Sequence, residues 1–481
     1  MVEVPILIVG AGPTGLTLGC DLARRGVACR VVDKAPRLFV GSRGKGLQPR
    51  TLEVFDDLGV LPAVLAAGAP FPPFRLYAGA QLVWERRLEE LMPGGMPQPS
   101  SRTPHSKPWL IPQSRTDAIL CERFLALGGR VDWGTELVNF VQDEAGVTAK
   151  LVRDGVEETL RARYLVGADG GRSSVRKHSG VSFAGDTFET ERTLIGDVSV
   201  SGLDGVACHM FTCAGDPAER FSLWNLPGGD VCQFVATVSA EHAPELSLAA
   251  VRRLFEERSG RSDIALQALH WISLYKVNVR MVDRFRIGRV LLAGDAAHVH
   301  SSAGGQGLNT SVQDAYNLGW KLSAVVGGAS DGLLDTYDEE RAPVAARTLG
   351  VTSALHQRGF RASDSAAPAI HQLDISYRGS SLALDDRANP GKLRAGDRAP
   401  DALLGDGTRL FDAFRGPHFT LLTLQAVDEP LGANVRVCRL EAPLDGYDLG
   451  DARWILVRPD GHVGVISGSL PRVREYLDRV S

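Results

Sequence analysis

Read for its apolar and polar positions, the chain opens as strand, turn, helix, strand. Residues 4–9 form a short apolar run, as expected of a buried parallel strand, and the run breaks at Gly10. A helix-compatible stretch covers 14–25, and a second strand over 28–32 ends at Asp33. Two later runs, 163–166 and 289–293, read as further strands of the same kind. Between them, 192–200, 209–213, 220–224 and 231–238 are short strand-like runs separated by Gly, Pro and Asp, which predicts a β-rich insert over about 181–284. Helices are expected over about 310–325 and 333–346. Residues 86–112, with Pro93, Pro97, Pro99, Pro104, Pro108 and Pro112, read as an irregular surface excursion, slightly more as solvated decoration than as an active-site cover.

The first turn carries Gly10-Ala11-Gly12-Pro13-Thr14-Gly15. Gly10 permits a tight turn, Gly12 lets a pyrophosphate approach the backbone, and Gly15 lets the helix pack on the strand with phosphates at its N-terminus. Asp33 is spaced to accept hydrogen bonds from an adenosine ribose. A glycine-rich loop alone is only a turn; with strand, helix and acid all present it predicts dinucleotide binding. It does not choose between NAD and FAD. The other strands deliver Gly167-Ala168-Asp169-Gly170 and Gly294-Asp295-Ala296-Ala297-His298, placing carboxylates where open α/β sheets bind ligands.

At this point the chain resembles the group A flavoprotein aromatic hydroxylases. The matching stretches are the glycine loop, Ser42-Arg43-Gly44 running into Gly46-Leu47-Gln48-Pro49-Arg50-Thr51-Leu52-Glu53, Pro112-Gln113-Ser114-Arg115-Thr116, Asp169-Gly170, and 294–322. The resemblance implies a discontinuous Rossmann-like FAD-binding domain (1–75, 101–180, 285–375), a substrate-binding β-sheet domain (76–100, 181–284) and a C-terminal thioredoxin-like domain (395–481). That last domain is suggested by Ala395-Gly396-Asp397-Arg398-Ala399-Pro400-Asp401. Its one cysteine, Cys438, cannot form the dithiol of thioredoxin chemistry, which leaves packing or subunit contact.

Carried over by position, Gly10, Gly12, Pro13, Thr14, Gly15, Asp33 and Lys34 would hold the adenosine end of FAD. Arg43, Gln113 and Arg115 would lie along its pyrophosphate and ribityl side, with Asp295 bonding the ribityl or pyrophosphate region. Asp169 and Gly170 belong to a motif associated with both FAD and NADPH. Backbone amides of Gly305, Gln306, Gly307, Leu308 and Asn309 would face the flavin pyrimidine. A glycine turn running into a helix has its own warrant there, because N–H donors and a positive dipole end favour an anionic reduced flavin. Asp314, Asn317, Trp320 and Lys321 are expected to fix that helix. Candidate pocket walls in the insert are Phe221, Trp224, Phe234 and Tyr275, although an aromatic in a strand is more often core. Prolines usual before the glycine turn are replaced in His298-Val299-His300-Ser301-Ser302-Ala303-Gly304, which makes Ser302 a candidate substrate contact. His298 and His300 read as packed side chains.

Composition narrows the setting. The 481 residues allow two or three domains, and 44% hydrophobic content supports sizeable cores. A formal charge of −4 argues against nucleic acid or an anionic membrane as partner. Seven scattered cysteines without metal-ligand spacing predict reduced thiols and no metal. Met1 leads directly into the first strand and no apolar run reaches transmembrane length, so a cytoplasmic monomer or homodimer is expected.

The implied chemistry is monooxygenation. NADPH or NADH would visit transiently to reduce FAD, since no second glycine fingerprint provides a separate nicotinamide domain. Oxygen would add at flavin C4a, and the distal oxygen of that hydroperoxide would pass to a phenolic or polycyclic, polyketide-type aromatic ring. Baeyer–Villiger insertion into a polycyclic ketone is an alternative on the same scaffold. A flavin dehydrogenase or non-catalytic flavoprotein is a third. No residue identifies itself as a catalytic base.

Overall fold

The protein is described by a computed structural model, for residues 2–91, 100–212, 219–239, 241, 244–301, 303–357, 370–427, 430–444, 446–447, 449 and 452–481. Val2–Val9 lies at the centre of an eight-stranded sheet, parallel to Cys29–Asp33 on one side and to Val156–Gly167 on the other. Val290–Leu292 adds parallel to Val156–Gly167, and Val131–Trp133 adds beyond Cys29–Asp33. Register does the rest. Val9 is level with Val32 and Gly167, and Gly167 with Leu292, so three turns that are far apart in sequence leave the sheet side by side. The helix Pro13–Arg24 follows the first turn, with proline at its start where a missing N–H costs nothing.

The insert forms a second eight-stranded sheet. Its spatial order is His298–Val299, Ala265–Val282, Phe183–Ser201, Val231–Ser239, Phe221–Asn225, Cys208–Thr212, Phe74–Ala78 and Gln81–Arg86. Since side chains alternate across a strand, each face can be read from register. Leu194, Val198, Phe221, Leu223 and Phe234 share one face and pack with Val251 and Phe255 of the helix Leu248–Ser259. Ile195, Asp197, Gln233, Trp224, Trp271 and Tyr275 occupy the other.

This corrects two expected pocket walls. Phe221 and Phe234 are fully buried, stack on each other at 5.7 Å, and Phe221 meets Phe255 edge-on at 5.2 Å. They belong to the core beneath the sheet, one pleat away from the face turned towards the dinucleotide fold.

A third, five-stranded sheet runs Leu384–Asp385, Val463–Ser467, Trp454–Val457, Phe419–Thr423, Val435–Arg439 and is covered by the helix Leu470–Val480, a thioredoxin-like arrangement. Trp320 of the helix Gly307–Gly327 meets Phe419 edge-on at 5.7 Å, so the first and third units share one continuous core. Cys438 is half-buried and burial pushes its thiol pKa up. The six described cysteines are all free thiols; Cys213 lies outside the described residues. Among the described residues no helix is long and apolar enough to cross a membrane.

Candidate active site

The glycine turn is tight where it must be and open where a ligand would lie. Gly10 has φ +107°, and a methyl there would sit 2.3 Å from the Ala168 carbonyl oxygen. One at Gly15 would sit 1.9 Å from the Gly10 oxygen, whereas one at Gly12 meets nothing within 4 Å. Asp33 Oδ2 accepts the Ala11 amide at 2.7 Å and Oδ1 the Ala35 amide at 2.8 Å. Each oxygen keeps a lone pair for a further donor. Lys34 is exposed beside it. Thr14 is buried, and Gly294 comes so close that a methyl there would lie 2.5 Å from Thr14 Oγ1, which joins the first and third turns.

Asp169 is occupied locally. Its oxygens accept the Ser173 hydroxyl, both the amide and hydroxyl of Ser174, and the Val175 amide, starting the helix Ser174–Ser179. Gly170, at φ +79°, makes the reversal before it. Arg176 then donates to Ala296 O at 2.9 Å and Gly171 O at 2.8 Å, bolting this turn to the 294–298 segment. Gln113 is likewise a holding residue: it bonds the Gly44 amide at 3.1 Å through its side chain and the Gly44 carbonyl at 2.9 Å through its own amide. Arg115 is exposed on the same helix, Gln113–Ala126.

Asp295 and Arg43 mark the cleft. Both are exposed, yet the surrounding protein raises the Asp295 carboxyl above its ordinary pKa, against the lowering pull of His298 and Arg43. A carboxylate reached by solvent but walled by protein lines a deep cleft. The Arg43 guanidinium lies 5.1 Å from the Phe39 ring and 5.9 Å from that of Trp271.

At the far end of the cleft, Gly304 and Gly305 have φ +74° and +62° and turn the chain into Gly307–Gly327. The N–H groups of Gly307, Leu308 and Asn309 have no partner within the helix. The side chains of this turn brace it from behind. Asn309 donates to Gly46 O at 2.9 Å and Gly305 O at 2.7 Å and accepts the Gln48 amide at 2.7 Å, while Gln306 donates to Gly304 O at 2.7 Å and Ile370 O at 3.0 Å. Leu308 leans on Gly44, where a methyl would meet its Cδ1 at 3.3 Å.

His298 is fully buried and donates to Asp314 at 2.6 Å; Asp314 also accepts Arg341 at 2.7 Å. His300 stacks on His298 at 5.1 Å, and burial lowers its pKa to about 3, so it is neutral. Ser301 is buried, and Ser302 lies outside the described residues.

The comparisons with known proteins agree with this geometry. Residues 3–352 match the family described as "FAD binding domain". A flavin-dependent monooxygenase of Mycobacteroides abscessus is 59% identical over 475 residues, covering 99% of each chain. A rifampicin monooxygenase of Streptomyces venezuelae is 34% identical over 95% of this chain and 94% of its own. The solved ternary complex of aklavinone-11 hydroxylase with FAD and aklavinone superposes with a TM-score of 0.83 at 28% identity, over 100% of this chain and 99% of that one. This chain is a group A FAD-dependent monooxygenase.

FAD fits the residues present: an open cradle at Gly12, an exposed carboxylate deep in a cleft, and a glycine turn whose helix N-terminus is free. In this monooxygenase the sheet faces the cofactor cleft with Trp224, Trp271 and Tyr275, none of them fully buried. Trp224 meets Phe71 and Phe74 edge-on at 6.3 and 5.2 Å. Three residues of this face escaped the sequence reading: Lys45, Asp197 and Gln233. Gln233 lies directly opposite Trp224, and Asp197 directly opposite Gln233 on the next strand, and that register is the signal that finds the last two.

Proposed function

We propose that this monooxygenase hydroxylates a phenolic or polycyclic aromatic substrate of the polyketide type, with NADPH or NADH as electron donor. The aromatic-walled face of the inserted sheet, opposite the flavin cradle, carries this reading, and the rifampicin- and aklavinone-directed relatives support it. FAD, when bound, supplies the redox chemistry that activates dioxygen. The chain's own residues do the remaining work. Trp224 and Trp271 offer flat surfaces for a ring and exclude water, and the 304–309 turn favours negative charge on the cofactor ring system. Proximity and dryness are the main demands of such an oxygen transfer.

The test is anaerobic mixing of the FAD-loaded protein with NADPH or NADH, following flavin bleaching with and without simple phenols, hydroxyanthraquinones and other polycyclic ketones. Strong acceleration by one compound, followed by labelled oxygen appearing in its ring hydroxyl, is the expected result. Bleaching that no aromatic compound alters would count against a substrate-gated hydroxylase.

A further inference from the structure

Lys45 stands in the cleft with a role the flavin fit does not explain. It sits between Gly44 and Gly46, in a segment held on three sides. Gln113 bonds both backbone groups of Gly44, Asn309 accepts the Gln48 amide, and Gln233 donates to the Ser42 carbonyl. With that backbone fixed, the side chain reaches across to the inserted sheet. Its ammonium lies 4.3 Å from the centre of the Trp224 ring and donates to Gln233 Oε1. An ammonium has three N–H donors, and among the described residues no carboxylate forms an ion pair with this one.

Asp197 is its neighbour on the sheet, paired in register with Gln233. It is 4% exposed, and its Oδ1 has no hydrogen-bond partner. Buried polar atoms are normally satisfied, so an ammonium with N–H donors to spare beside a carboxylate oxygen that no donor reaches is a place built for a group that accepts from the first and donates to the second. Both lie on the aromatic face, between the sheet and the cofactor cradle.

We propose that Lys45 binds a hydroxyl oxygen of the aromatic substrate in its ionised form and so positions the activated ring against the cofactor. The inference rests on the aromatic-hydroxylase reading. A phenolate or enolate oxygen would accept the free N–H groups of Lys45, and its ionisation enriches the ring carbons that must accept oxygen. Burial lowers the Lys45 pKa to about 8, against the raising influence of Cys208 and Asp197. Amine meeting phenol or ammonium meeting phenolate therefore gives the same pair, with the hydroxyl proton carried by Nζ in the first case and lost to solvent in the second. The Cys208 thiol is itself raised far above its ordinary range by burial and stays neutral, which leaves Asp197 as the other titrating group.

The probe is alizarin, a dihydroxyanthraquinone that turns from yellow to red on losing its first proton, titrated into the FAD-loaded full chain across pH. Wild type and Lys45→Arg are expected to bind the red, singly ionised form at pH values where the free dye is yellow. Lys45→Met should bind the yellow form, with affinity for the ionised dye lowered about ten- to a hundredfold. Flavin absorbance reports that each variant keeps its cofactor, and Lys45→Arg keeps the test valid if Lys45→Met is unstable. Binding of the red form by Lys45→Met at wild-type affinity, or of the yellow form by the wild type, overturns the proposal alone. A flavin-loaded wild type that binds neither alizarin nor any phenol of the panel overturns the aromatic-substrate reading with it.

Discussion

The dinucleotide fold meets a neighbour on two sides, and charge is buried differently at each. Towards the C-terminal domain, Glu340 accepts Lys321 at 2.7 Å and both Arg458 nitrogens at 2.6 and 2.8 Å; Arg458 also pairs with Asp460, which accepts Asn317 and Trp320. Arg398 pairs with Glu53, and Arg50 bonds Glu53 and the Asp460 carbonyl. Towards the inserted sheet, Lys45 lacks an ion-pair partner among the described residues, Asp197 keeps an orphan oxygen, and Asp295 faces a cleft. Glycines repeat the contrast. A methyl at Gly461 would meet the Arg50 guanidinium across the paired seam at 3.3 Å, but one at Gly12 meets nothing within 4 Å. A seam that is filled and paired is a structural joint; one left open and under-paired is where a ligand completes the protein.

The strongest way to break the comparison is at the paired seam. Glu340→Gln leaves Arg458 and Lys321 buried with one counter-charge fewer, which costs about 3–5 kcal/mol in such networks. Thermal melting of the flavin-loaded variant should show a large drop, with flavin release at the lower transition. An unchanged melt would mean that the seam is not a stabilising joint.

The open side should respond in the reverse sense. Gly12 has extended backbone at φ −79°, so Gly12→Val is free of left-handed strain and fills only the cradle. FAD affinity should fall by roughly five- to 150-fold, the effect of about 1–3 kcal/mol of overpacking, while the cofactor-free melt stays where it was. Titration with FAD monitored by flavin fluorescence quenching checks the first half. An equal loss of cofactor-free stability would show the cradle to be ordinary core.

The two sides also differed in how far the sequence disclosed them. The cradle was legible because its glycines and Asp33 lie at fixed spacings within one strand–turn–helix unit. What spacing could not tell was which polar groups face the ligand. Asp169 and Gln113 share the family motifs, yet they hold backbone: Asp169 starts a helix and Gln113 clamps Gly44. The pocket was harder. Phe221 and Trp224 are three residues apart and so fall on opposite faces of their strand, and an insert covered on both sides has no polar face to reveal its parity. The long strand Ala265–Val282 went unread because register shifts at Asp197 and Ser199 of its partner interrupt the alternation. Lys45, a lone lysine between glycines, becomes notable only when the sheet brings Trp224 and Gln233 to it.

A smaller effect sharpens the contrast through its sign. In Glu340 burial alone would raise the pKa, but Arg458 and Lys321 outweigh it and hold the carboxyl below its ordinary value. Its contribution to stability is therefore complete above about pH 4.3 and is lost as pH falls through the folded value. In Asp197 burial prevails over the Ser42 hydrogen bonds and the Lys45 charge, and the pKa rises to about 6. That contribution is complete below about pH 3.9 and is lost as pH climbs through about 6. Asp197→Asn removes the titration while keeping the shape. The stability of the variant relative to wild type should then grow between about pH 4 and 6 and level off above, with a slope of at most about 1.4 kcal/mol per pH unit. Melting temperatures of the two proteins across that window provide the check. A difference that stays flat with pH would mean that Asp197 is as well satisfied as Glu340, and the open side of the fold would lose the unpaired carboxylate that sets it apart.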